Sequence, residues 1–146
     1  MQLEQLHLDF KVQSADIDES PMESEKPEHL VVRLAREKAR AVADLHPAAV
    51  VIGSDQLAVF DGRTIGKPGN EERAIRQLLQ FSGKCIRFLT AVRVCCTDSG
   101  FDAGSVVTTE VSFRELSEEE VRRYIAMDQP FDCAGGFRSE AAGSVL

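Results

Sequence analysis

Apolar residues recur every three or four positions through EHLVVRLAREKARAVADL. Leu30, Val31, Leu34, Ala35, Ala39, Val42 and Leu45 fall on one side, while Arg33, Arg36, Glu37, Arg40 and Asp44 take the other. That spacing predicts an amphipathic helix, and Pro27 stands where its first turn begins. Lys38 breaks the pattern: it lies four residues after Leu34 and four before Val42, so its stem runs along the apolar stripe. Its ammonium must then reach a rim or a partner, as a snorkelling lysine or as part of an anion site. NEERAIRQLLQFSG predicts a second helix, with Asn70 as N-cap, Glu71 and Glu72 in the first turn and Gly83 at the exit. Ser117 and Glu120 form a capping-box signature for a third helix, SEEEVRRYIAM, with a narrow apolar face of Val121, Tyr124 and Ile125.

Other segments have strand character. AAVVIG, from Ala48 to Gly53, is a short apolar run rich in β-branched residues, as expected for a strand buried on both faces and stopping at Ser54, Asp55 and Gln56. The carboxyl ends of such strands border ligand sites in α/β sheets, which places Asp55 where a catalytic carboxylate is commonly found. LAVF and the turn Asp61-Gly62 predict a hairpin leading to RTIGKP. From Lys84 to Thr97 the period becomes two, with Ile86, Phe88, Val92 and Val94 on one face. After the turn Asp98-Ser99-Gly100, VVTTEVSF (Val106 to Phe113) is expected to pair antiparallel with that strand. The opening LEQLHLDFKV reads as the tail of a helix running into a strand. Residues 15 to 27 form an acidic loop, and the last stretch, QPFDCAGGFRSEAAGSVL, is rich in turn residues and ends on apolar ones. These ends lead us to expect a domain shortened at both termini.

Composition narrows the class. A chain of 146 residues is about one domain long. With 43% apolar and 28% charged residues and a mean hydropathy of -0.17, it has the balance of a soluble globular protein with one core. No apolar run approaches the roughly 20 residues of a membrane span. MQLEQLHLDF has neither signal-peptide nor transit-peptide character, so a cytoplasmic location is expected. Seventeen Lys and Arg against 24 Asp and Glu give a net charge of -7. This opposes broad docking on nucleic-acid polymers or an anionic membrane but leaves room for a small phosphorylated ligand. Cys85, Cys95, Cys96 and Cys133 form no CxxC pair and have no His at finger spacing, so free thiols are expected.

No GxGxxG follows a strand, and GxxxxGK[ST], GxSxG and HExxH are absent; His7, His29 and His46 are scattered. Carboxylates, lysines and glycine turns remain, a set suited to metal-assisted phosphoryl chemistry. DIDES concentrates Asp16, Asp18 and Glu19 in one loop, either a solvated acidic loop or a holder for a hard cation. Gly66-Lys67-Pro68 presents one lysine on a rigid turn, suited to a phosphate but also ordinary in loops.

DIDES, RLAREKA around Lys38, VVIGSDQ around Asp55, DGRTIGKP around Lys67, FSG after the second helix and QPFDCAGGFRSE occur in an order and spacing that resemble the Maf family of nucleoside triphosphate pyrophosphatases. The variants Ser54-Asp55-Gln56 and Cys133 to Glu140 resemble the branch that prefers 7-methyl-GTP. The resemblance implies an α/β, single-domain Maf/inosine-triphosphatase-like fold, a mixed twisted sheet flanked by helices with a cleft, lacking the first strand and the last elements. It implies hydrolysis of 7-methyl-GTP to 7-methyl-GMP and pyrophosphate with a divalent cation, Mg2+ or Mn2+. On that template Asp55 is the proton acceptor, Glu19 and Asp55 bind metal, Lys38 and Lys67 hold phosphates, and Gln56 and Glu140 set base preference. A carboxylate near N7-methylated guanine favours that cation over neutral guanine, and it can also accept from N1 and N2 hydrogens.

Family members normally begin with a strand and an SxSxxRR loop that clamps the triphosphate, and this sequence begins inside the helix that follows. Electrostatic preorganisation of that kind often supplies several kcal/mol. The expected partners are a nucleoside triphosphate and a second copy in a homodimer, with no nucleic-acid polymer and no membrane. Two alternatives stay open from sequence: a pyrophosphatase for another non-canonical or pyrimidine nucleotide such as dTTP or UTP, and an inactive nucleotide-binding or division-regulatory protein.

Overall fold

A computed structural model describes residues 7–136. Four strands form one sheet in the order β2-β1-β3-β4: β1 (Val51–Phe60), β2 (Arg63–Ile65), β3 (Cys85–Cys96) and β4 (Phe101–Ser112). Three helices accompany it: α1 (Pro27–Ala43), α2 (Glu71–Phe81) and α3 (Glu118–Asp128). The expected α/β class holds, and every described strand pairing is antiparallel. The expectation had been a mixed sheet.

Local signals place several boundaries. Asn70 accepts from the Arg73 N–H at 3.0 Å at the start of α2. Ser117 and Glu120 close both halves of the capping box on α3. Asp61 (φ 51°) and Gly62 (φ 75°) supply the two left-handed residues of a tight β1–β2 hairpin, in which Phe60 pairs with Arg63.

Successive side chains of a strand point to opposite faces, and the two faces are covered differently. On one face, Ala58, Ile86 and Phe88 pack with Ala74, Ile75, Leu78 and Phe81 of α2 and Val121, Tyr124 and Ile125 of α3. On the other, α1 lays Val31, Ala35, Ala39 and Ala43 over Val51, Val59, Leu89, Ala91 and Cys95.

Some expected elements come out differently. The apolar run was expected to end at Gly53, but β1 continues through Ser54, Asp55 and Gln56 to Phe60. Its ladder with β3 runs unbroken from Val51↔Cys95 to Val59↔Arg87, so backbone pairing carries the polar triplet through the sheet. Nor is the run buried on both faces: Val50 is 70% and Ile52 48% exposed. In β3 the period of two names one face correctly, yet only Ile86 and Phe88 are buried there, and Val92 is exposed. Leu89, Ala91 and Cys95 of opposite parity lie under α1, so β3 is a two-faced strand. α1 stops at Ala43 and leaves Leu45 exposed. β4 begins at Phe101, earlier than the expected Val106, because its pairing with β3 reaches back to the turn.

Leu8–Met22 contain neither helix nor strand, although a strand was expected after the opening; Leu8, Phe10 and Val12 there are exposed and unpaired by the sheet. The residues expected as a helix before it lie largely outside the described range. Cys95 and Cys96 are buried, Cys133 is half-buried and Cys85 is exposed. No helix among the described residues is long and apolar enough to cross a membrane.

Candidate active site

Gly53 sets the height of α1 above β1. A Cβ at that position would lie 2.6 Å from both the Ala35 carbonyl oxygen and the Ala39 backbone nitrogen. Only glycine lets the helix backbone come this close, and the small residues Ala35 and Ala39 line the same contact. Two residues on, Asp55 shares the Gly53 face and meets the helix at Lys38, whose Nζ donates to Asp55 Oδ1 at 2.7 Å. The same Nζ lies 2.7 Å from Glu19 Oε1. A lysine that looked anomalous on an apolar stripe thus joins two carboxylates from different segments.

The cluster grades from inside to outside. The Asp55 side chain is 9% exposed, that of Lys38 23% and that of Glu19 57%. Burial works against the Lys38 ammonium, but the hydrogen bonds and negative charges of Asp55 and Glu19 outweigh it and hold Lys38 above the ordinary lysine value. Lys38 is therefore a fixed cation and not a proton acceptor. Asp55 Oδ2 is buried and has no hydrogen-bond partner. A buried carboxylate oxygen in that condition is costly and is available to a water, a proton or a cation.

The loop carrying Glu19 is tied to α1. Arg33 grips Glu25 through Nε–Oε1 at 2.8 Å and Nη2–Oε2 at 2.9 Å, and Nη2 also donates to the Ser20 carbonyl at 3.0 Å. Inside the loop, the Ser20 N–H donates to Asp18 Oδ1 at 2.9 Å and the Met22 N–H to Glu25 Oε2 at 3.0 Å. The Arg33 hydrogen bonds, followed by that from Met22, pull the Glu25 carboxyl down to about 2.

A family profile described as "Maf-like protein" matches residues 1–146. Similar curated proteins include one from Polaromonas sp. (strain JS666), 49% identical over 99% of this chain and 66% of the relative. One from Albidiferax ferrireducens is 46% identical over 99% of this chain and 72% of its own length, and one from Idiomarina loihiensis 49% identical over 99% and 74%. Each of the three is named 7-methyl-GTP pyrophosphatase.

The chain belongs to the Maf family. It spans about two thirds to three quarters of the length of these relatives.

Within this Maf chain, Asp55, Lys38 and Glu19 are brought together as one group. Lys67 sits in the loop between β2 and α2, exposed, and makes no ion pair with that group. Its loop is firmly seated: Pro68 is fully buried, Gln77 Nε2 donates to the Gly66 carbonyl at 3.1 Å and the Gly69 N–H to the Phe131 carbonyl at 3.1 Å. Gln56 points to the sheet face opposite Asp55, where its Nε2 donates to Thr90 Oγ1 at 2.8 Å. Glu140 lies outside the described residues.

Asp55 and Glu19 fit a divalent cation in a limited way. Asp55 offers its unpartnered Oδ2, while the described residues hold no group of three or more His, Cys, Asp or Glu able to cage a metal. Such a pair suits an ion that keeps waters and takes phosphate oxygens as ligands.

Two hollows of about 510 and 410 Å3 lie elsewhere, one along the outer face of α1 from Glu28 to Arg40, the other between the end of α1 and the β3–β4 turn. Neither is lined by Asp55, Lys38 or Glu19, and no carboxylate lining them has a buried oxygen without a partner. Among the described residues, Asp128 Oδ2 is the other buried carboxylate oxygen without a hydrogen-bond partner, and no lysine is paired with Asp128 as Lys38 is with Asp55. Reading the sequence missed Arg33, Glu25 and Gln77, for which no short motif is a signal, because their partners lie 8 to 13 residues away.

Proposed function

We propose that this Maf protein is a nucleoside triphosphate pyrophosphatase that hydrolyses 7-methyl-GTP to 7-methyl-GMP and pyrophosphate. The observation that carries the reading is the Lys38–Asp55–Glu19 group with the buried, unpartnered Oδ2 of Asp55. The names of its relatives support the substrate.

In this reading, Asp55 accepts a proton from the attacking water as the new P–O bond forms and the α–β anhydride bond breaks, pyrophosphate leaving. Lys38 spends two of its three N–H donors on Asp55 Oδ1 and Glu19 Oε1, leaving the third for a phosphate oxygen. Its raised pKa keeps that donor charged. Lys67 supplies a second positive charge from a seated loop. A divalent cation, Mg2+ or Mn2+, held by Glu19 and Asp55 would neutralise charge on the phosphates. Gln56 and Glu140 are assigned to the base, Gln56 from the face opposite Asp55 across the edge of β1 that β2 leaves uncovered before Ala58, and a carboxylate there favours the positively charged 7-methylguanine. The buried thiols of Cys95 and Cys96 agree with a reducing, cytoplasmic setting.

The test is incubation with 7-methyl-GTP, GTP, dTTP and UTP in the presence of Mg2+ or Mn2+, following monophosphate and pyrophosphate by chromatography. We expect turnover led by 7-methyl-GTP and its loss in Asp55→Asn by about 100-fold or more, as for removal of a general base. Turnover led by dTTP or UTP would overturn the substrate, and binding without turnover in the wild type would overturn the enzyme.

A further inference from the structure

We propose that Arg33 is a positioning residue for the site, holding the loop from Asp18 to Glu25 on α1 so that the Glu19 carboxylate stays at Lys38. The proposal rests on the reading above that Glu19 serves the reaction, and it makes a separate claim about how Glu19 is held there.

Glu19 has little to keep it in place by itself. It belongs to a segment without helix or strand, and its side chain is more than half exposed. A long exposed acid loses rotamer freedom when it is held in one geometry, and an exposed ion pair gives back little. The loop must therefore be fixed by something else, and Arg33 contacts it at two points that follow Glu19. One of its nitrogens donates to the carbonyl of Ser20, the residue directly after Glu19, and its planar fork grips Glu25 with two parallel bonds. The side chains of Arg33 and Glu25 are only 17% and 10% exposed, so this pair is better sheltered than Glu19. Glu37, one turn further along α1, accepts from Arg33 Nη1 at 3.0 Å and holds the guanidinium in the plane that this grip requires.

The helix supplies the geometry. Arg33 and Lys38 are five residues apart on α1, so the loop is pinned at one position of a rigid element and delivers its carboxylate to another. A lysine could not replace Arg33, because an ammonium has no fork to hold both Glu25 oxygens and the Ser20 carbonyl.

Carbodiimide coupling tests this, since it joins an amine to a carboxylate only where the two touch. In the wild type it should yield both a Lys38–Glu19 and a Lys38–Asp55 product, counted by mass spectrometry of the peptides. In Arg33→Met, Arg33→Lys and the milder Glu25→Gln, we expect the Lys38–Glu19 product to fall by about ten-fold relative to Lys38–Asp55, as for loss of one charge-assisted grip. A ratio unchanged from the wild type overturns the proposal. Equal loss of both products means that α1 has shifted, and this also overturns it. With 7-methyl-GTP, the Mn2+ concentration giving half-maximal rate should rise in Arg33→Met and rise no further when Glu19→Gln is already present; additive effects overturn the proposal. The coupling ratio needs no turnover, so it decides the role of Arg33 even if the pyrophosphatase reading fails.

Discussion

On one face of the sheet, Phe81 meets Phe60 edge-on at 5.5 Å and Phe113 at 5.7 Å, with Leu78, Ile86, Val121 and Ile125 fully buried around them. On the other face, α1 rests on Gly53, Ala91 and Val59 through Ala35, Ala39 and Val31, and a lysine reaches over that contact to Asp55. The first face is built from volume and the second from close approach. Large apolar side chains bury the most surface and carry most of the stability. Small ones bring a helix backbone down onto the strand, so that a carboxylate in mid-ladder and an ammonium on the helix meet at 2.7 Å. The Lys38–Asp55–Glu19 group lies on the face built from the smaller side chains.

That division can be broken from either side. Phe81→Ala should have the largest effect on folding, about 3–5 kcal/mol in urea unfolding, because the ring is fully buried in the larger cluster. Folded Phe81→Ala should still yield the Lys38–Asp55 coupling product, and its loss would show that the two faces are not separable. Gly53→Ala comes next. The added methyl meets backbone atoms of α1 that cannot give way, costing about 1–3 kcal/mol, and it should lower turnover by more than Phe81→Ala does despite the smaller loss of stability.

The smallest effect is on alkaline stability. Pairing with Asp55 and Glu19 raises the folded pKa of Lys38 above its ordinary 10.5. The stabilisation is therefore complete below that value and disappears as pH rises through the higher folded pKa. Denaturant unfolding of wild type and Lys38→Gln should show an alkaline loss in the wild type that is weaker in the variant. Equal losses would mean that the pair contributes nothing to stability.

These two faces were unequally legible. The caps at Asn70 and Ser117 and the Asp61-Gly62 hairpin follow from residues within three or four positions of one another, so a linear pattern contains the whole interaction. The apolar face of α3 was legible for the same reason. Around Asp55 the linear pattern misled. A polar triplet after an apolar run looks like a strand end, but here it is the middle of β1, because a ladder with residues 87–95 supplies the backbone partners. Lys38 looked out of place on its helix, and only the strand beneath it explains why. Gln56, next to Asp55 in sequence, faces the other way and bonds to Thr90.

Helix periodicity, capping and turn geometry are local interactions, so the three helices, the hairpins and the candidate site residues were readable along the chain. Which of those candidates lie side by side is settled by packing between distant segments. The distance between Lys38 and Asp55 depends on a helix packing onto a strand at a glycine, and the place of Glu19 depends on a guanidinium that grips its loop across 8 to 13 residues. Those contacts are set by close packing between segments, and they form only once the chain has folded.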